Sequence, residues 1–197
     1  MRRDIIVVDD FLDNPDGVRE YALAQKFEMF GGKNWPGCDS SESHGQEEMT
    51  KECSEVVGME LAIKPENKCS YFRHTRVGQH GSQHIHFDPN PGLVWAGVLY
   101  LTPTVHPTGG TKFWKHTATG WEKAPTVEEG AEYGLQTHQD MVNFFNIEGK
   151  DESKWTELDN VAFKYNRLVY LIGALNSSMV VITSSVISPP HSMTSNH

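Results

Sequence analysis

The stretch Gln83-His84-Ile85-His86-Phe87-Asp88-Pro89 decides how this chain reads. In an extended strand, residues two apart point to the same side. His86 and Asp88 therefore present an imidazole and a carboxylate together, while Phe87 faces the other way. His84 shares the His86 face and is an alternative ligand. A histidine and a carboxylate so placed are two members of a facial triad, the set of two histidines and one carboxylate that leaves three positions open on Fe(II). A closed structural zinc site would need a fourth protein ligand. The triplet alone is a weak signal in a chain with ten histidines, because a surface ion pair at a strand end satisfies it equally well. What surrounds it carries the remaining weight.

Downstream, Val94 to Pro103 reads as a strand, followed by Gly109-Gly110-Thr111-Lys112-Phe113, then Tyr165-Asn166-Arg167-Leu168-Val169-Tyr170 and Gly173-Ala174-Leu175. Short β-rich runs over 69–77, 83–87, 93–101, 111–115 and 162–172 are separated by turn residues, the pattern of a barrel or sandwich. An acidic insert with one short helix around His138 to Phe145 separates the last two. Upstream, Ile5 to Val8 reads as a strand and Asn14-Pro15-Asp16 as a helix start with proline in the first turn. A second helix is predicted over about Gln46 to Ile63, where Met49, Cys53, Val56 and Val57 give an apolar stripe. Phe30 to Ser43 is loop. Helices first and strands later predict an α+β chain in which helices cover the outside of a jelly roll.

Together, the His-x-Asp triplet, the Tyr100-Leu101-Thr102-Pro103 strand end, the Gly109-Gly110-Thr111-Lys112-Phe113 strand and the Asn166-Arg167-Leu168-Val169 strand resemble the prolyl 4-hydroxylase-like Fe(II)/2-oxoglutarate-dependent oxygenases. The similarity is to a bacterial and phage branch of that superfamily. Val8-Asp9-Asp10-Phe11-Leu12 and Trp35-Pro36-Gly37 also suit it, so it covers roughly residues 5 to 175. The resemblance implies a cupin-like double-stranded β-helix domain over 1–175. It also implies iron held by His86 and Asp88, 2-oxoglutarate as co-substrate, and hydroxylation of a small-molecule or peptide substrate. Loops such as 30–43 and the insert at 127–154 would select that substrate.

Two departures bear on activity. The family places its second metal histidine in a Gly-x-Leu-aromatic-His-Ser segment, which here reads Gly173-Ala174-Leu175-Asn176-Ser177-Ser178. A neutral hydroxyl at Ser177 is a far poorer Fe(II) ligand than imidazole. The family also anchors the distal carboxylate of 2-oxoglutarate on an Arg or Lys beyond that histidine, and Leu168 to His197 contains neither. Arg167, Arg76 and Lys112, with Arg73 and Lys115, are the substitutes. The tail over 176–197 is atypical. A shifted frame is one account, since Ser-Met-Val-Val-Ile-Thr-Ser back-translates to an offset His-Gly-Gly-Tyr-Tyr-Phe, and the parent nucleotide sequence tests it. In another, His191 swings back as third ligand. A catalytically inactive metal- or ligand-binding jelly roll is the competing reading.

Bulk properties narrow the field. The net charge of -9 offers no basic face for a nucleic-acid backbone. No run is apolar and long enough to span a membrane or serve as a signal peptide. Three cysteines without CxxC spacing point away from a disulfide framework and toward a reducing cytoplasm.

Overall fold

The computed structural model describes residues 5–28, 37–63, 69–75, 85–87, 95–103, 109–172 and 179–183. Within them the chain is a mixed α/β protein of small antiparallel sheets and four helices. The first sheet takes β1 (Ile5–Val8), β8 (Arg167–Ile172) and β5 (Trp95–Tyr100), with β8 central. Ile5 lies opposite Leu171, and Trp95 opposite Ile172. The second sheet takes β7 (Trp155–Ala162), β6 (Gly110–His116) and β9 (Met179–Thr183), with β6 central. A third, shorter one joins β2 (Phe27–Glu28), β3 (Cys38–Ser40) and β4 (Arg73–His74).

The first two sheets share one core. Alternation along β1, β5 and β8 sends Ile5, Tyr100, Val169 and Leu171 to the side where Phe113 of β6 and Phe163 also lie. Tyr100 and Phe113 are fully buried, each contributing about 1.5–3 kcal/mol through the area removed from water. The buried Tyr100 hydroxyl meets Thr111 Oγ1 at 2.6 Å, so the two sheets are also joined by a satisfied polar contact. At the start of β6, Gly110 has φ +140°, and a methyl group there would collide with the Val161 carbonyl oxygen. The glycine pair thus lets β6 begin tight against β7.

Helices cover the outsides. Asn14 Oδ1 accepts from the Gly17 amide to start α1 (Pro15–Leu23). The second helix, α2 (Gln46–Val57), stops well short of the predicted Ile63, because Gly58 turns left-handed at φ +71° and its amide donates to the Ser54 carbonyl. Cys53 of α2 lies against Tyr170. Tyr170 alternates with the inward Val169 and Leu171, so α2 lies on the outer face of the first sheet. In the insert, capping boxes at Thr126/Glu129 and Thr137/Asp140 start α3 (Val127–Ala131) and α4 (His138–Glu148).

Several expectations change. The predicted strand over 83–87 amounts, among the described residues, to an isolated bridge at His86, and the one over 69–77 to Arg73–His74. The insert holds two helices and a full strand, β7, where one helix was expected. The tail contributes β9 to the second sheet. Among the described residues the strands form separate small sheets rather than a closed barrel. No helix among them is long and apolar enough to cross a membrane.

Candidate functional site

His86 is buried, 6% exposed, between two neighbours that belong to one apolar cluster. Ile85 and Phe87 pack with Trp114 of β6, Trp155 of β7 and Phe145 of α4. Phe87 meets Phe145 edge to face at 5.1 Å between ring centroids. His86 itself is no member of that layer, and its imidazole is buried between the two residues that are. Asp88, His84, His191, Arg76 and Ser177 lie outside the described residues. Among those described, no group of three His, Cys, Asp or Glu side chains is arranged to hold a metal ion.

The basic candidates are distributed differently from the expectation of a free anchor. Arg167 grips Asp9 with both ends of its guanidinium, Nε to Oδ1 at 2.6 Å and Nη2 to Oδ2 at 3.0 Å, and Nη1 donates to the Ala162 carbonyl at 2.7 Å. The Arg167 hydrogen bond, helped by Lys164, holds the Asp9 carboxyl down at about 2 against partial desolvation. Arg167 therefore ties β8 to the loop after β1 and to the end of β7. Lys112 donates to Glu157 Oε2 at 2.7 Å and lies 5.4 Å from the centroid of the Trp114 ring. Arg73 forms a fork with Asp39 at 2.6 and 3.0 Å. Lys115 makes no ion pair among the described residues. It follows Thr111 and Phe113 on the inner side of β6.

A second polar array sits under α4, built around His116. His116, 2% exposed, has Nδ1 at 2.9 Å from Thr119 Oγ1 and Nε2 at 3.5 Å from Glu148 Oε2. Phe144 and Trp155 flank its ring at 5.4 and 4.8 Å. Glu148 also pairs with Lys154 at 2.9 Å, and its carbonyl accepts from Trp155 Nε1 at 2.9 Å. Nothing in the sequence signals this array, because its members are spread over 116–155 and meet only when the insert folds back. Elsewhere an open groove of about 880 Å³ runs between the β1–α1 loop and α2, lined by Phe11, Leu12, Val18 and Val56 with Glu52 and Glu55. None of the candidate metal ligands lines it.

Comparison with known proteins gives one match: the family of unknown function DUF6445, over residues 1–192. No curated protein matches the chain. No solved structure matches it either.

Proposed function

The chain belongs to the family of unknown function DUF6445, and we propose that it is an Fe(II)/2-oxoglutarate-dependent oxygenase of the double-stranded β-helix type, with His86 facing the metal. The nesting of its strand pairs carries this reading. β6 pairs with β7 around the insert, and β5 pairs with β8 around both. The two pairs belong to different sheets that share one core. A jelly roll is an antiparallel hairpin folded over on itself, so its nested pairs fall alternately into two facing sheets. One step further out, the same order would set the segment before β5, which carries His86, beside β9. That strand pairs with β6 on the edge away from β7.

The described residue of the site that would hold iron is His86, a buried imidazole. Asp88 would be its partner carboxylate. Bound there, the metal would supply open positions for a 2-oxo acid and dioxygen. The chain's own part is to hold the imidazole, exclude water and keep nearby groups neutral. Burial pushes the Tyr100 hydroxyl's pKa up, so it stays a protonated partner for Thr111. Of the described basic candidates, Lys115 is the one without a carboxylate partner, and it is the anchor this reading assigns to the co-substrate. A small-molecule or peptide substrate and a cytoplasmic setting complete the reading.

Release of succinate from 2-oxoglutarate with added Fe(II), compared with His86→Ala, tests it. Turnover in the parent and its loss in the variant are expected. The pairing of Arg167 with Asp9 and of Lys112 with Glu157 favours a second reading, a non-catalytic metal-binding relative. Equal background rates in the two proteins, with Co(II) bound by the parent alone, would select that reading.

A further inference from the structure

Helix α4 ends against the segment that carries His86, backbone to backbone. The Ile85 amide donates to the Gly149 carbonyl at 3.1 Å. A methyl group on Gly149 would overlap the Ile85 carbonyl oxygen and come within 2.8 Å of the Phe145 carbonyl oxygen. Both obstacles are backbone atoms, which cannot swing aside as a side chain would. The φ of Gly149 is −65°, an ordinary helical value, so glycine is required by the close approach alone. The preceding residue is fixed from three directions. Trp155 Nε1 donates to the Glu148 carbonyl, Lys154 takes one carboxylate oxygen and His116 faces the other.

We infer that the C-terminal end of α4 is the device that sets the position of His86, with Gly149 as its positioning residue. The inference rests on the reading of His86 as metal-facing. It assigns the end of the insert a role other than substrate selection. The helix presses Phe145 on Phe87 and receives the Ile85 amide, so it fixes the residues on both sides of His86. A ligand must be held to about 0.5 Å to bind productively. Displacing Ile85 by the width of a methyl group exceeds that.

The test uses the full chain with Co(II) as probe, following its visible absorption, together with hydrogen exchange at the Ile85 amide. Gly149→Ala is expected to weaken Co(II) binding tenfold or more and to speed Ile85 exchange. Trp155→Phe, which loses the indole donor and part of the buried ring but adds nothing to the helix end, should shift both in the same direction by less. Leu171→Ala, a cut in the core between the sheets, provides a comparable loss of stability and should leave Co(II) affinity within twofold. Co(II) binding by Gly149→Ala equal to that of the parent, or unchanged protection of Ile85, would overturn the inference. If Gly149→Ala does not fold, Trp155→Phe decides on the same two readouts. If the parent and His86→Ala bind Co(II) equally, the metal reading fails, and Ile85 exchange alone decides whether the helix end clamps this segment.

Discussion

The cluster between the sheets and the cluster beneath α4 differ in what they join and in how they are made. Between the sheets, Ile5, Tyr100, Phe113, Val169 and Leu171 come from strands spread along the chain, from the first to the eighth. Beneath α4, Ile85, Phe87, Trp114, Phe145 and Trp155 come from a shorter stretch and are all aromatic but one. β6 belongs to both, giving Phe113 to one side and Trp114 to the other. The inner cluster thus holds the two sheets together. The outer one attaches the insert and, through it, the His86 segment to a sheet that already exists. The inner contacts are the more demanding to assemble, because their sequence separation is large.

If that division is right, cutting each cluster has a different signature. Phe113→Ala empties the centre of the inner cluster and should cost about 3–5 kcal/mol. Denaturant unfolding followed by far-UV circular dichroism and by tryptophan fluorescence should still give one transition for both probes. Phe145→Ala removes the plug of the outer cluster and should cost about 3 kcal/mol, with the loss confined locally. Amides of α4 would then exchange through an opening of lower free energy than amides of β8, measured by native-state hydrogen exchange. Equal loss of protection in both elements would show that the outer cluster is part of the inner one.

Between these extremes lies the buried polar link between Tyr100 and Thr111. Tyr100→Phe keeps the ring and its packing on Phe163 at 4.8 Å but leaves the Thr111 hydroxyl, fully buried, without its Tyr100 partner. The expected cost is about 1–2 kcal/mol in equilibrium unfolding. The double variant Tyr100→Phe/Thr111→Val should recover part of it, since removing both partners avoids the stranded hydroxyl. A double variant no better than the single would mean that the hydroxyl finds another partner.

The inner cluster was the more legible of the two for a physical reason. β5 and β8 are apolar runs bounded by turn residues, and β6 is a short β-rich run opened by a glycine pair, which are the patterns that mark strands. β7 is not legible in the sequence, because Thr156, Glu157 and Leu158 are exposed along an edge strand and polarity there reads as loop. The end of α2 was overrun because Val57 continues the apolar stripe, whereas Gly58 in a left-handed conformation stops the helix. The outer cluster depends on the second face of β6 and on aromatics in an acidic insert, and neither has a period to follow. For the candidate site, the sequence pointed to His86, and the structure buries it. The ion pairs that occupy Arg167 and Lys112 are not legible in the sequence, because Asp9 and Glu157 are 158 and 45 residues away along the chain.

The smallest expected effect concerns the tie that closes the inner cluster at the start of β8. The folded Asp9 carboxyl titrates at about 2, against 3.8 for an ordinary aspartate. A depressed carboxyl contributes stability that is fully present above its unfolded pKa and is lost as pH falls through the folded value. The contribution should therefore stand above about pH 4 and disappear between about pH 4 and about pH 2. Because the Asp9 side chain is 41% exposed, screening reduces its worth to about 0.5 kcal/mol, as for other surface pairs. Asp9→Asn should accordingly be less stable than the parent by about that amount at neutral pH, with the gap closing as the solution is acidified toward about pH 2. Urea unfolding at a series of pH values measures this directly. A gap that persisted unchanged at about pH 2 would mean that Asp9 acts through packing of the loop after β1, with Arg167 held in place by the Ala162 carbonyl alone.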